Sequence, residues 1–177
     1  MKAVVDTNVL LVADKQHPDV SDECVLACTN ELEKLKQRGV VVIDDEYHLL
    51  GEYLHKVDVT RGKQAGAAFL KWLLQNRANT RRVEKVHITQ TAENRFDEFP
   101  ADPALEDFDP SDRKFVAVAN AHPEKPPIWQ AADSKWLDWW PALQTHDIRV
   151  EFLPSCRDDI RRFYRQKFPE QDVPEFP

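Results

Sequence analysis

The chain has 177 residues, 42% of them hydrophobic, which is enough for one domain with a proper core. Its 31 acidic and 24 basic residues leave a formal charge of −7, so no global basic field attracts nucleic acid, although local basic patches can still hold a phosphate backbone. No apolar run approaches the roughly 20 residues that cross a bilayer, and Asp6 interrupts the short apolar region at the start, so neither a membrane span nor a signal peptide is expected.

The opening "MKAVVDTNVLLVAD" reads as a short buried strand at residues 3–5, then Asp6-Thr7-Asn8, then a second apolar run at 9–12. Ser21 can cap a helix over 21–38, whose Val25, Cys28, Leu32 and Leu35 fall at three- and four-residue spacing and which Gly39 ends. Residues 40–43 are a β-branched run short enough for a strand buried on both faces. Two helices follow. The first spans 45–56 with Leu49, Leu50, Tyr53 and Leu54 inward, the second 62–76 with a stripe of Ala65, Phe69, Trp72 and Leu73.

Residues 78–108 are the least regular part: "VEKVHIT" reads as a strand, and "RFDEFPADPALEDFDP" as a loop rich in proline and acid. Asp109 and Pro110 then start a helix, with Asp112 three residues after the cap. "PPIWQAAD" and "IRVEFL" read as strands on either side of a helical "SKWLDWWPALQ". Ser155 can cap a last helix to about residue 167, and a proline-rich tail follows. The main domain is therefore placed at 1–154, with a C-terminal helix and tail at 155–177. The alternation of strands and helices predicts an α/β fold with a mostly parallel sheet covered by helices on both faces, a three-layer α/β/α sandwich.

In such sheets function gathers at the carboxyl ends of the strands. Asp6, Asp44, Asp45 and Asp133 stand at those ends, Glu52 lies in the helix after the second strand, and Asp112 opens a later helix. Carboxylates brought together repel unless a cation balances them, and for phosphate chemistry that ion is Mg²⁺ or Mn²⁺. Each acid also has a plainer use: Asp6 satisfies donors at a strand end, Asp112 completes a capping interaction three residues after the cap, Asp133 caps the helix that starts at Ser134, and Glu52 is a solvated helix acid.

The cysteines Cys24, Cys28 and Cys156 are odd in number, with two of them one turn apart. They form no disulfide framework in sequence, and a reducing cytoplasm is expected. The histidines show no zinc spacing, and His17 near Cys24 and Cys28 makes none, since Cys28 sits on the apolar stripe. Trp136, Trp139 and Trp140 read as core or an oligomer contact rather than as base-stacking groups. Basic residues gather in Arg61, Lys63, Lys71, Arg77, Arg81, Arg82 and Lys85, and again in Arg157, Arg161, Arg162, Arg165 and Lys167. Such runs are usually solvated faces, so Arg113 and Lys114, beside Asp112, are the better placed to touch a phosphate.

"VVDTNVLL", "HLLGEYL", "DPSDRKFVAVA" and "QAADSKW", in that order, resemble the four acidic motifs of PIN-domain nucleases. The first and third are the most specific, and the match runs from the first strand to "IRVEFL". The resemblance implies a metal-dependent endoribonuclease that hydrolyses phosphodiester bonds by metal-activated water and leaves a 5′-phosphate and a 3′-hydroxyl. Asp6, Glu52, Asp112 and Asp133 would be the catalytic acids that hold Mg²⁺ or Mn²⁺, with Asn8 and Ser134 orienting ligands or the scissile phosphate. Asp44, Asp45 and Glu46 remain rivals of Glu52, and Asp109 and Asp138 are auxiliary acids. The implied partners are an RNA substrate and, for the toxin of a toxin–antitoxin pair, a small antitoxin protein. Family members also often form homodimers. An RNA-processing or defence nuclease is the alternative role, and a PIN-like binding scaffold without catalysis the alternative class.

Overall fold

The computed structural model describes residues 1–60 and 63–177. Strand β1 (Lys2–Val5) passes at once into helix α1 (Thr7–Ala13), because Asp6 is an N-cap whose carboxylate accepts the Asn8 N–H at 2.9 Å. The apolar run at 9–12 is therefore helical, with Val9, Leu10 and Val12 buried. Helix α2 (Asp22–Arg38) begins at Ser21, whose Oγ accepts the Cys24 N–H, and stops at Gly39, as expected.

Strand β2 (Val40–Asp44) leads into α3 (His48–Lys56), which starts later than the pattern predicts. The Asp44 carboxylate sets that start by accepting the N–H groups of His48 at 2.7 Å and Leu49 at 3.0 Å. Leu49, Leu50 and Tyr53 point inward, but Leu54 is 47% exposed, against expectation. Helix α4 (Ala65–Asn76) buries Gly66, Ala67, Phe69, Leu70 and Leu73, with Ala65 and Trp72 only half-buried. The expected helix start at Gly62 and the basic Arg61 lie outside the described residues.

Gly66 marks a close approach between α1 and α4. A Cβ there would stand 2.3 Å from the Leu10 carbonyl oxygen and 2.9 Å from the Asp14 carboxyl carbon, and the Asp14 carboxylate accepts the Gly66 and Ala67 N–H groups. The Leu10 oxygen belongs to backbone and cannot swing aside. Gly66→Ala is expected to destabilise the fold by about 1–3 kcal/mol in denaturant unfolding. An unchanged midpoint would show that the two helices part freely.

The remaining strands are β3 (Val83–Val86), a hairpin of exposed β4 (Gln90–Ala92) and β5 (Arg95–Phe96), whose Phe96 is buried, β6 (Ile128–Gln130) and β7 (Val150–Phe152). The hairpin lies in the region that reads as loop. Helix α5 (Arg113–Ala121) follows a 3-10 turn at Pro110–Asp112 that Asp109 caps, and α6 (Trp136–Gln144) lies between β6 and β7. Helix α7 (Arg157–Lys167) follows a 3-10 turn at Pro154–Cys156, so Ser155 is not its cap.

Strands β3-β2-β1-β6-β7, in that spatial order, form one parallel sheet. Helices α1, α2 and α4 pack on one another, α5 lies across β1, β2 and β6, and α6 covers β7, which makes the expected three-layer α/β/α sandwich. Trp136 is buried edge-on to Phe108, and Trp139 and Trp140 pack half-buried around the same core. Residues 155–177 share that core with 1–154: Ile160 and Tyr164 are buried, and the Phe176 ring meets Phe152 at 5.1 Å.

Cys24 and Cys156 form a disulfide, contrary to the reading of the cysteines in sequence, and Cys28 stays a buried free thiol. Nothing local couples two positions 132 residues apart. The pair meets because α2 packs on the turn that opens α7. Among the described residues no helix is long and apolar enough to cross a membrane.

Candidate functional site

From β1 the chain steps outward to β2 and β3, then returns to the other side of β1 for β6 and β7. The boundary between β1 and β6 is thus a topological switch point, beyond whose carboxyl ends a crevice opens. Asp6 leaves β1 there and Asp133 follows β6. Glu52 from α3 and Asp112 from the start of α5 join them, so the four acids line one cleft of about 350 Å³ with Thr7, Asn8 and Ser134.

A directed chain of hydrogen bonds holds the centre. The Gln130 amide N–H donates to Asp6 Oδ2 at 2.8 Å, the Asn8 amide N–H donates to Gln130 Oε1 at 2.6 Å, and the Ala131 backbone N–H donates to Asn8 Oδ1 at 2.9 Å. Asn8 therefore ties α1 to the exit of β6 and fixes Asp6 as an acceptor. Gln130, wholly buried, is a site residue outside the four acidic positions, and its mark in the sequence is a polar side chain at the end of the otherwise apolar buried strand "IWQ".

Burial, and next the charge of Asp112, push the Asp6 carboxyl well above the usual range, against the pull of Asn8 and Gln130. Asp112 is pushed up to about 7 by burial and by the charges of Asp133, Asp109 and Glu52. Glu52 behaves oppositely. Burial raises it, but Lys114 and the Thr7 hydroxyl, bonded at 2.6 Å, together with the charge of Lys56 hold it below the usual carboxylate range. Lys114 and Lys56 both pair with Glu52, while Asp6, Asp112 and Asp133 have no ion-pair partner among the described residues.

The rivals of Glu52 are occupied elsewhere. Asp44 caps α3, Asp45 faces His87 at 3.1 Å, and Glu46 is exposed beside His48. Asp109 caps its turn with Lys135 3.7 Å away, and Asp138 accepts the Tyr164 hydroxyl. Arg113 does not reach the cleft: its guanidinium donates to the Glu106 and Phe108 carbonyls and lies over the Phe99 ring. Lys114 reaches Glu52 and the Ser111 carbonyl, so its charge is already engaged. The cleft also contains His17, Lys56, Phe163 and Lys167. Of the basic run on the last helix only Lys167 lines the cleft, beside Phe163; Arg157 and Arg161 lie over the Phe176 ring and Arg165 is exposed.

The oxygen donors of Asp6, Asp112 and Asp133, which have no direct ion-pair partner among the described residues, are of the kind that a hard divalent cation takes. The acids are spread more widely than a tight cage. Among the described residues, the group whose ligand atoms all lie within 4.8 Å of one another is Cys24, Cys28 and Cys156, two of which are bonded to each other.

The elevated Asp112 carboxyl has a stability consequence. The folded state binds this proton more tightly than the unfolded chain, so the stability it contributes is present at low pH and lost as pH rises from about 4 towards 7. Above that range the ionised group costs folding free energy. Asp112→Asn is expected to melt higher than the wild type at pH 8 without divalent ions, with the gap closing towards pH 4. Equal melting at pH 8 would refute this.

Comparison with models of known protein families, with curated proteins and with solved structures finds no match.

Proposed function

We propose that the chain is a metal-dependent endoribonuclease of the PIN-like kind. The observation that carries this reading is convergence: acids from four separate motifs, Asp6, Glu52, Asp112 and Asp133, meet in one cleft at the switch point of a parallel sheet. Asp6, Asp112 and Asp133 would hold Mg²⁺ or Mn²⁺. Such an ion supplies the charge that polarises a phosphodiester and makes a water acidic enough to attack at neutral pH.

The chain's own groups do the rest. Gln130 and Asn8 keep Asp6 aimed into the cleft as an acceptor. Glu52, kept ionised by Lys114 and Thr7, accepts a hydrogen bond from the attacking water and orients it. Ser134, buried beside Asp133, presents a hydroxyl to a phosphate oxygen. In-line attack then leaves a 5′-phosphate and a 3′-hydroxyl. The motif resemblance supports a toxin role, with a small antitoxin covering the cleft. Growth arrest on expression supports that role, and unimpeded growth favours a processing or defence enzyme.

The test is cleavage of end-labelled single-stranded and hairpin RNA with Mn²⁺ or Mg²⁺ against EDTA, alongside calorimetric titration of Mn²⁺. Cutting that needs the metal supports the reading. Metal binding without cutting of any RNA offered points to a binding module, and the absence of both rejects the catalytic site.

A further inference from the structure

The cleft has two unlike walls. One is the acidic edge. The other is built from α7 and the segment after α1: His17, Phe163 and Lys167, with Lys56 of α3 beside Glu52. The His17 and Phe163 rings lie 5.3 Å apart and are tilted by 43°, and both are half-buried, so they retain surface in the cleft. The Arg162 guanidinium lies 4.7 Å over the Phe163 ring and is itself held by Asp159 and the Asp19 carbonyl. It therefore props the aromatic pair rather than reaching for a ligand. Helix α7 lies outside the four motifs that carry the family resemblance, and nothing in the acidic site requires an aromatic, basic wall opposite it.

A phosphodiester seated at the acids brings a sugar and a base on each side. In a duplex the base faces are covered by their neighbours. In a single strand they are free to stack, and stacking on an aromatic side chain is worth about 1–3 kcal/mol per base whatever the base. Lys167 is an exposed ammonium group on the same wall, suited to a flanking phosphate, whereas Lys56 stands 3.3 Å from Glu52 and is engaged there. We propose that this wall is the seat of an unpaired nucleotide next to the scissile phosphate. Its base packs against the His17–Phe163 pair and its phosphate rests on Lys167. The inference rests on the nuclease reading and narrows its substrate to single-stranded RNA.

The test is fluorescence anisotropy of fluorescein-labelled single-stranded and hairpin RNAs of one length, in EDTA, over a series of salt concentrations. Wild-type protein is expected to prefer the single strand. Phe163→Ala should weaken single-strand binding by about tenfold, within the stacking range, and Phe163→Tyr should restore it. Lys167→Gln should flatten the slope of log affinity against log salt by about 0.7, the value for one single-strand phosphate contact.

If circular dichroism shows Phe163→Ala misfolded, His17→Ala, at a half-buried position, and Lys167→Gln, at an exposed one, carry the test. Equal affinity for hairpin and single strand, no RNA binding by the wild type, or unchanged binding by the folded variants would each overturn the proposal. Metal-dependent cutting with unchanged variants removes the wall and leaves the nuclease. Single-strand binding that depends on the wall, without metal-dependent cutting, does the reverse.

Discussion

Asp6→Asn is expected to reduce metal-dependent RNA cleavage by on the order of 10²-fold or more, since even outer-shell changes around a metal cost 10–100-fold, while the protein folds nearly as well as the wild type. The substitution keeps shape and removes charge. Its cost in stability comes from the direction of the bond chain around it. The Ala131 N–H points Asn8 Oδ1 one way, Asn8 points Gln130 the same way, and Gln130 arrives at Asp6 as a donor. The other Asp6 oxygen accepts the Asn8 backbone N–H. An asparagine has one acceptor oxygen, so one of the two donors loses its partner, at a cost of about 1–3 kcal/mol for a buried donor.

Against that, the variant no longer buries a carboxylate that Asp112 repels. The two effects oppose each other, and the melting temperature should move by only a few degrees. Mn²⁺ titration by calorimetry separates loss of the site from loss of the fold. Wild-type cleavage by Asp6→Asn would end the metal reading of this acid.

Reduction of the Cys24–Cys156 disulfide should remove about 5 kcal/mol of unfolding free energy, the chain-entropy value for closing so long a loop. The bridge spans 132 residues and ties the start of α2 to the turn that opens α7. That is a large share of the ~5–15 kcal/mol typical of a domain. Unfolding in denaturant with and without reductant measures it, and Cys156→Ser should reproduce the reduced protein.

Cys28 does not substitute for either partner. Its sulfur is 3.9 Å from that of Cys156, but burial pushes its thiol up to about 12, so it stays protonated and weakly nucleophilic at neutral pH. Cys28→Ser should therefore leave the effect of reductant in place. Identical unfolding with and without reductant would show that the bridge stabilises nothing. Since α7 supplies Phe163 and Lys167 to the cleft, loosening its start should also weaken RNA binding.

The order of elements was legible in the chain wherever the decisive contacts are local. Ser21 accepts a donor three residues on, Gly39 ends α2, and the run at 40–43 buries itself as β2, each within a turn or two of sequence. The acid that ends the first strand was legible too, because Asp6 caps α1 with an N–H only two residues away. Local chemistry also misled at such points. Ser155 has the right residue type for a cap, yet a 3-10 turn carries the chain past it, and Leu54 has the right spacing for the inner stripe, yet it lies exposed.

Tertiary structure alone decided what depends on partners far along the chain. The bond from Gln130 to Asp6 joins residues 124 apart, and it exists because β6 lies beside β1 in the sheet. The same order brings Glu52 rather than Glu46 to the cleft and turns Arg113 away from it. The disulfide and the α7 wall arise in the same way, from helix packing that no spacing records. By itself the sequence determined the five strands of the main sheet, most of the helices and the four acidic motifs, since backbone hydrogen bonds and side-chain periodicity act over a few residues. Which side chains share a cleft was set by strand order and helix packing, which sum weak contacts over the whole core.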